Sequence, residues 1–162
     1  MPLNANNKSY RLADMSIQPD GEVPCPDPDE SKDPDTTCIE DAEFCTAVYA
    51  RTWETAGGSV KHFAIMLNVT AGHPDYKFCK EIKGAAPNFA QVRRTDTWHS
   101  TVHSHQFFLH SSDEEIEVHQ QLAGGSREER SQHTVSGTFK KYYTEMLYDP
   151  FDYLKYWKEG KQ

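Results

Sequence analysis

FCTAVYARTW (residues 44–53) and SVKHFAIMLNVT (residues 59–70) lie on either side of Gly57-Gly58, and these two runs decide the fold class. Both are rich in β-branched and aromatic residues, which suit a pleated, half-buried backbone, and a glycine pair between two such runs marks a turn. The reading is strand, turn, strand. In the second run Phe63, Ile65, Leu67 and Val69 fall on one face, with Val60, Ala64 and Met66 beside His62 on the other. A strand that is apolar on both faces belongs in the middle of a sheet.

Working outward, Gly72-His73-Pro74-Asp75 reads as a turn and YKFCKEIK (residues 76–83) as a third strand. A break at 84–87 precedes residues 89–110, long enough for one bent strand or two. Residues 111–114 read as a turn. Residues 115–122 alternate, with Ile116, Val118 and Leu122 on one face. A charged Gly-Ser loop over 123–132 leads to HTVSGTFKKYY (residues 133–143), read as a last strand. The end differs: Asp149-Pro150 suits a helix start, and Phe151, Leu154 and Trp157 share one helical face. Residues 1–19 are polar, with one short ordered piece expected at 10–17. Pro19, Pro24, Pro26, Pro28 and Pro34 make 19–43 a loop. The chain thus divides into an N-terminal arm, residues 1–43, and a β-rich domain, residues 44–162. Strands in sequence joined by short turns predict a mainly β fold: a single antiparallel barrel or sandwich with a short C-terminal helix. In architecture this resembles the lipocalins, small barrels that hold one ligand. The resemblance stops at architecture, because Arg51-Thr52-Trp53-Glu54 lacks the glycine of the lipocalin G-x-W signature.

The length of 162 residues fits one domain, and a chain of this size buries roughly 70% of its unfolded surface. Hydrophobic content is low at 36%, so the 12% of aromatic residues must supply much of the core. Charge is unevenly placed. Residues 20–43 hold ten acids, among them Asp27, Asp29, Glu30, Asp33 and Asp35, against the single base Lys32, whereas the rest carries 15 acids and 16 bases. A neutral body with an acidic arm excludes nucleic acid as a partner, which needs a basic face. The acidic run instead suits a basic protein. No apolar run of about 18 residues is present, so no membrane-spanning helix is expected. Residues 1–10 lack the apolar segment of a signal peptide, so a secreted protein would be in its mature form. Cys25, Cys38, Cys45 and Cys79 are even in number and contain no C-x-x-C. Three of them lie in or beside the arm, where disulfides would tether a segment that cannot bury itself. With the sequon Asn68-Val69-Thr70, a glycosylation site at Asn68, they point to a secreted, disulfide-bonded protein.

Five of the eight histidines, His99, His103, His105, His110 and His119, occupy 21 residues. On a strand His103 and His105 point the same way, about 7 Å apart, a usable spacing for two imidazoles on one metal. A third ligand is harder to find. Pairing Phe107 with Val118 and Leu109 with Ile116 groups the apolar residues, and it puts His119 on the opposite face. Residues 105–110 (HQFFLH) resemble the first cupin motif in part, with His110 in place of the usual Glu and without the flanking glycines. Residues 29–40 follow EF-hand spacing at Asp29, Ser31, Asp33, Asp35 and Glu40, but Pro34 stands where the sharp turn needs glycine. No nucleophile-elbow, Walker or Rossmann pattern occurs. The leading expectation is a secreted binding protein without a cofactor, holding a small amphipathic ligand at His103, His105, Phe107, Trp53 and Trp98. The alternatives are an inhibitor or immune modulator whose acidic arm engages a basic, cytokine-like protein, and a histidine-rich, cupin-like metal enzyme.

Overall fold

A computed structural model describes residues 8–12, 27–29, 31–55, 57–76, 85–86, 89–122 and 128–160. The elements in chain order are β1 (Lys8–Leu12), β2 (Asp35–Asp41), β3 (Thr46–Glu54), β4 (Val60–Thr70), β5 (Ala85–Ala86), β6 (Phe89–Asp96), a 3-10 turn (Trp98–Ser100), β7 (Thr101–Phe108), β8 (Ser111–Gln121), α1 (Glu128–Tyr148) and α2 (Phe151–Glu159). The fold is mainly β, with two C-terminal helices. One sheet runs in the order β1-β8-β7-β6-β4-β3-β2, and β5 adds a short pairing on β6. Six of its strands, β2, β3, β4, β6, β7 and β8, pair antiparallel, and β1 joins the β8 edge in parallel. Among the described residues no ladder joins β1 to β2, so the sheet is not closed into a barrel.

The two runs that open the sequence form a central hairpin, β3 and β4, as expected. Their register sets Val48 against Leu67 and Ala50 against Ile65. These residues, with Phe63 and Val69, build the apolar core on one sheet face. Both helices cover this face. Phe139 of α1 packs edge-on against Phe63 at 5.4 Å, and Tyr156 of α2 packs against Phe108 at 5.3 Å. Burying a side chain of the Phe63 or Leu67 kind is worth roughly 1.5–3 kcal/mol, so the helix-to-sheet layer is the main apolar store of the fold.

Three expectations are corrected here. Residues 133–143 form no strand; they lie inside α1. Val135, Phe139, Tyr142 and Met146 recur at helical spacing and meet the core together, whereas alternation would have offered Val135, Gly137, Phe139 and Lys141. The 3.6-residue period, sustained over a longer window, overrides the local β preference of Thr and Val. Residues 19–43 are not loop throughout, because β2 forms the sheet's edge on β3. Residues 111–114 are no turn: β8 starts at Ser111, and the reversal is at Leu109-His110, where the Leu109 amide donates to the Trp157 carbonyl at 2.8 Å. The ordered piece expected at 10–17 overlaps β1 at residues 10–12, and 13–17 lie outside the described residues. Residues 89–110 resolve into two strands, and α2 falls where the sequence placed a helix. It begins after Pro150, without a side-chain cap. The proposed strand at 76–83 lies outside the described residues beyond Tyr76.

Candidate functional site

The β6–β7 hairpin builds the site. Its register pairs Asp96 directly with His103 and Arg94 with His105. The connection is tight: Trp98–Ser100 forms a 3-10 turn in which His99 and Ser100 adopt left-handed φ of 61° and 59°. Residues without glycine's freedom take this conformation at a cost of roughly 1–3 kcal/mol each, which the surrounding contacts must offset. Thr97, at the foot of the turn, is locked to β4: its amide donates to the Phe63 carbonyl at 3.2 Å, and its hydroxyl accepts from the Phe63 amide at 3.1 Å. His62 Nδ1 lies 3.2 Å from the same hydroxyl.

Strand alternation carries Asp96, His103 and His105 to the sheet face opposite the helices. Their ligand atoms lie within 4.8 Å of one another, and all three residues are buried. His103 Nε2 is 3.0 Å from His105 Nε2 and 3.1 Å from Asp96 Oδ1, and His105 Nε2 is 3.7 Å from Asp96 Oδ2. Each group is held from behind. His105 Nδ1 lies 2.9 Å from Glu114 Oε2, and His103 Nδ1 lies 2.8 Å from the Thr101 hydroxyl. Asp96 accepts from Arg94 Nε at 2.9 Å and from the Trp98 amide at 3.1 Å. Burial pushes the His103 pKa down to about 4, assisted by His105 and opposed by Asp96, so its imidazole is neutral at pH 7. A neutral imidazole keeps one ring nitrogen as an electron-pair donor.

Of the expected ligand-binding residues, Trp53, Trp98, His103 and His105 come together on this face, whereas Phe107 joins the apolar core that also holds Val135, Met146 and Trp157 of the helices. Trp53 pairs with His62 across β3–β4, and its ring meets Trp98 edge-on at 5.4 Å. Phe107 stacks beside His105 at 6.4 Å. Asp27 and Lys32 lie against one end: the Trp53 indole donates to the Lys32 carbonyl at 3.2 Å, and Asp27 accepts from the His99 amide at 2.5 Å. Of the acids expected to meet a partner, Asp27 is thus engaged with His99. Asp29 holds Ser31 in a local turn, Asp33 and Asp35 are exposed, and Glu30 lies outside the described residues.

His119 lies on the opposite face, as the alternation required. Its Nε2 is 2.7 Å from the Ser104 hydroxyl, and its ring leans on Tyr142 of α1 at 4.6 Å. The β7–β8 register nevertheless differs from the expected one: His103 faces Val118 and His105 faces Ile116. The earlier reversal at Leu109-His110 moves the partners of His103, Ser104, His105 and Gln106 by four residues, and an even shift leaves their faces unchanged. His110 is exposed in that reversal, outside the cluster, so the cupin-like ligand set does not form. Asp35 and Glu40 belong to the extended β2, which rules out an EF-hand loop there. Asn68 is buried at 8% exposure and its amide donates to the Ala47 carbonyl at 3.4 Å, which does not suit the expected glycosylation. Among the described residues no disulfide forms, and Cys38 and Cys45 are free thiols; Cys25 and Cys79 lie outside them.

Sequence reasoning missed Asp96, Glu114 and Thr101. A signal for Asp96 was present: splitting residues 89–110 at Trp98–Ser100 makes Asp96 the cross-strand partner of His103. No protein-family model, curated protein or solved structure matches the chain.

Proposed function

We propose that this chain is a binding protein that takes a small amphipathic ligand on the sheet face opposite its helices. One observation carries the reading. Trp53, His103 and His105 are buried, and Trp98 is half-buried against Trp53, on a face that both helices leave uncovered because they pack on the other side. A flat sheet would leave such a face open. Register shifts at Trp53/Glu54, Leu67/Asn68, Val102/His103 and Gln106/Phe108 bend strands and raise twist, which favours a sheet curled around this face towards a lipocalin-like barrel. An aromatic lining with a few convergent polar groups is the usual make-up of a small-molecule site. The aromatic rings would take the apolar body of the ligand, and the imidazoles its polar end. The acidic, cysteine-bearing N-terminal region keeps a secreted setting part of the proposal.

The test combines a thermal-shift screen of amphipathic small molecules with native mass spectrometry of the protein from its natural source. The expected result is a ligand that raises Tm and changes tryptophan emission, with both effects lost in Trp53→Ala. No bound molecule and no shift across the screen would remove the support for this reading.

A further inference from the structure

The neighbours of the Asp96–His103–His105 cluster allow both imidazoles to turn a lone pair towards each other. Glu114, as a carboxylate, accepts from His105 Nδ1–H, and in the neutral ring Nε2 then offers a lone pair. The Thr101 hydroxyl lies 3.3 Å from the Trp98 carbonyl and 2.8 Å from His103 Nδ1, so it can donate to the carbonyl while it accepts from Nδ1–H. In that tautomer His103 Nε2 offers a lone pair as well. Two imidazole lone pairs then face each other across 3.0 Å, with a carboxylate oxygen 3.1 Å from the first. Arg94 pairs with Asp96 Oδ2 at 2.9 Å, and a cation held among the three groups would satisfy both imidazole lone pairs and Asp96 Oδ1 together.

We propose that Asp96, His103 and His105 are the ligands of one divalent first-row transition-metal ion, with Glu114 and Thr101 as the outer shell that orients the two imidazoles. Two ligand atoms each about 2.1 Å from one metal lie about 3.0 Å apart at right angles and about 3.4 Å apart at the tetrahedral angle, close to the 3.0, 3.1 and 3.7 Å contacts among the three groups. Two imidazoles with one carboxylate suit zinc, iron, cobalt or nickel and not calcium or magnesium, which prefer all-oxygen sets. A carboxylate behind one ligating imidazole is the recurrent outer shell of such centres. Three protein ligands also leave a coordination position open. The inference stands on this cluster alone and does not depend on the organic ligand proposed above.

The full chain, stripped with chelator, is titrated with Zn²⁺ by calorimetry and with Co²⁺ by visible absorption and paramagnetic proton NMR. The expected result is one ion per chain and two shifted, exchangeable imidazole N–H signals, from Nδ1 of His103 and His105. D96N, H103Q and H105Q should each weaken binding by roughly 100-fold or more, and E114Q by about 10–100-fold. Absence of stoichiometric binding, or affinity unchanged in these variants because the ion sits on His73, His99 or His110, would overturn the proposal. Should the buried variants fail to fold, the Co²⁺ spectrum of the unaltered chain decides: fewer than two shifted N–H signals would count against it.

Discussion

Protonating His119 should loosen the helix-to-sheet layer, and the size of the effect follows from its setting. The ring is 7% exposed, between Ser104 on the sheet and Tyr142 on α1. Burial is the largest cause pushing its pKa from 6.5 down to about 4; the nearby Arg93 and Lys141 act in the same direction, and Glu117 opposes them. Below pH 6.5 the unfolded chain takes up a proton that the folded chain refuses. His119 thus contributes its full stability above pH 6.5, and that contribution is lost as pH falls towards 4. The shift of 2.5 pH units corresponds to about 3 kcal/mol in all, of which about 2 kcal/mol is lost between pH 7 and pH 5. The assay is urea unfolding followed by tryptophan fluorescence at both pH values, with chelator present, for the unaltered chain and for H119Q. Gln keeps a polar group towards Ser104 and cannot titrate. The difference in stability between pH 7 and pH 5 should be smaller in H119Q by about 2 kcal/mol, whatever the substitution costs at pH 7. An equal pH dependence in the two proteins would refute the buried placement of His119.

Two further predictions probe the same layer. Phe63 is fully buried against Phe139, so Phe63→Ala should cost about 3–5 kcal/mol, read as a lower urea midpoint; a loss under 1 kcal/mol would contradict its central place. Gly137 lies inside α1 with open space where a Cβ would project, so Gly137→Ala should stabilise the protein by about 0.5–1 kcal/mol, seen as a higher Tm; a lower one would argue against helix at that position.

The sheet was legible where strands alternate or carry β-branched runs. The β3–β4 hairpin and the common face of His103 and His105 follow from residue spacing alone. Residues 133–143 misled because Thr, Val, Phe and Tyr favour strands locally. Their helical period emerges only when Tyr142 and Met146 are read together with Val135 and Phe139. The edge strand β2 was hidden by its composition: it is acidic and exposed along most of its length, so no burial pattern marks it, and its pairing with β3 supplies the order. The site was half legible. Two histidines on one strand declare themselves, but Asp96 comes from the neighbouring strand. It joins them only through the hairpin register, which depends on two left-handed residues that are neither glycine nor asparagine. Glu114 was obscured by the misplaced turn. Once β8 starts at Ser111, Glu114 becomes a strand residue and reaches His105.

The buried meeting of Asp96, His103 and His105 on the helix-free face is the central claim, and anomalous X-ray diffraction tests it most directly. Crystals grown with Zn²⁺ and measured at the zinc absorption edge should show one dominant peak per chain, about 2.0–2.2 Å from Nε2 of His103, Nε2 of His105 and a carboxylate oxygen of Asp96. Peaks confined to exposed histidines, with these three side chains apart from one another, would contradict it.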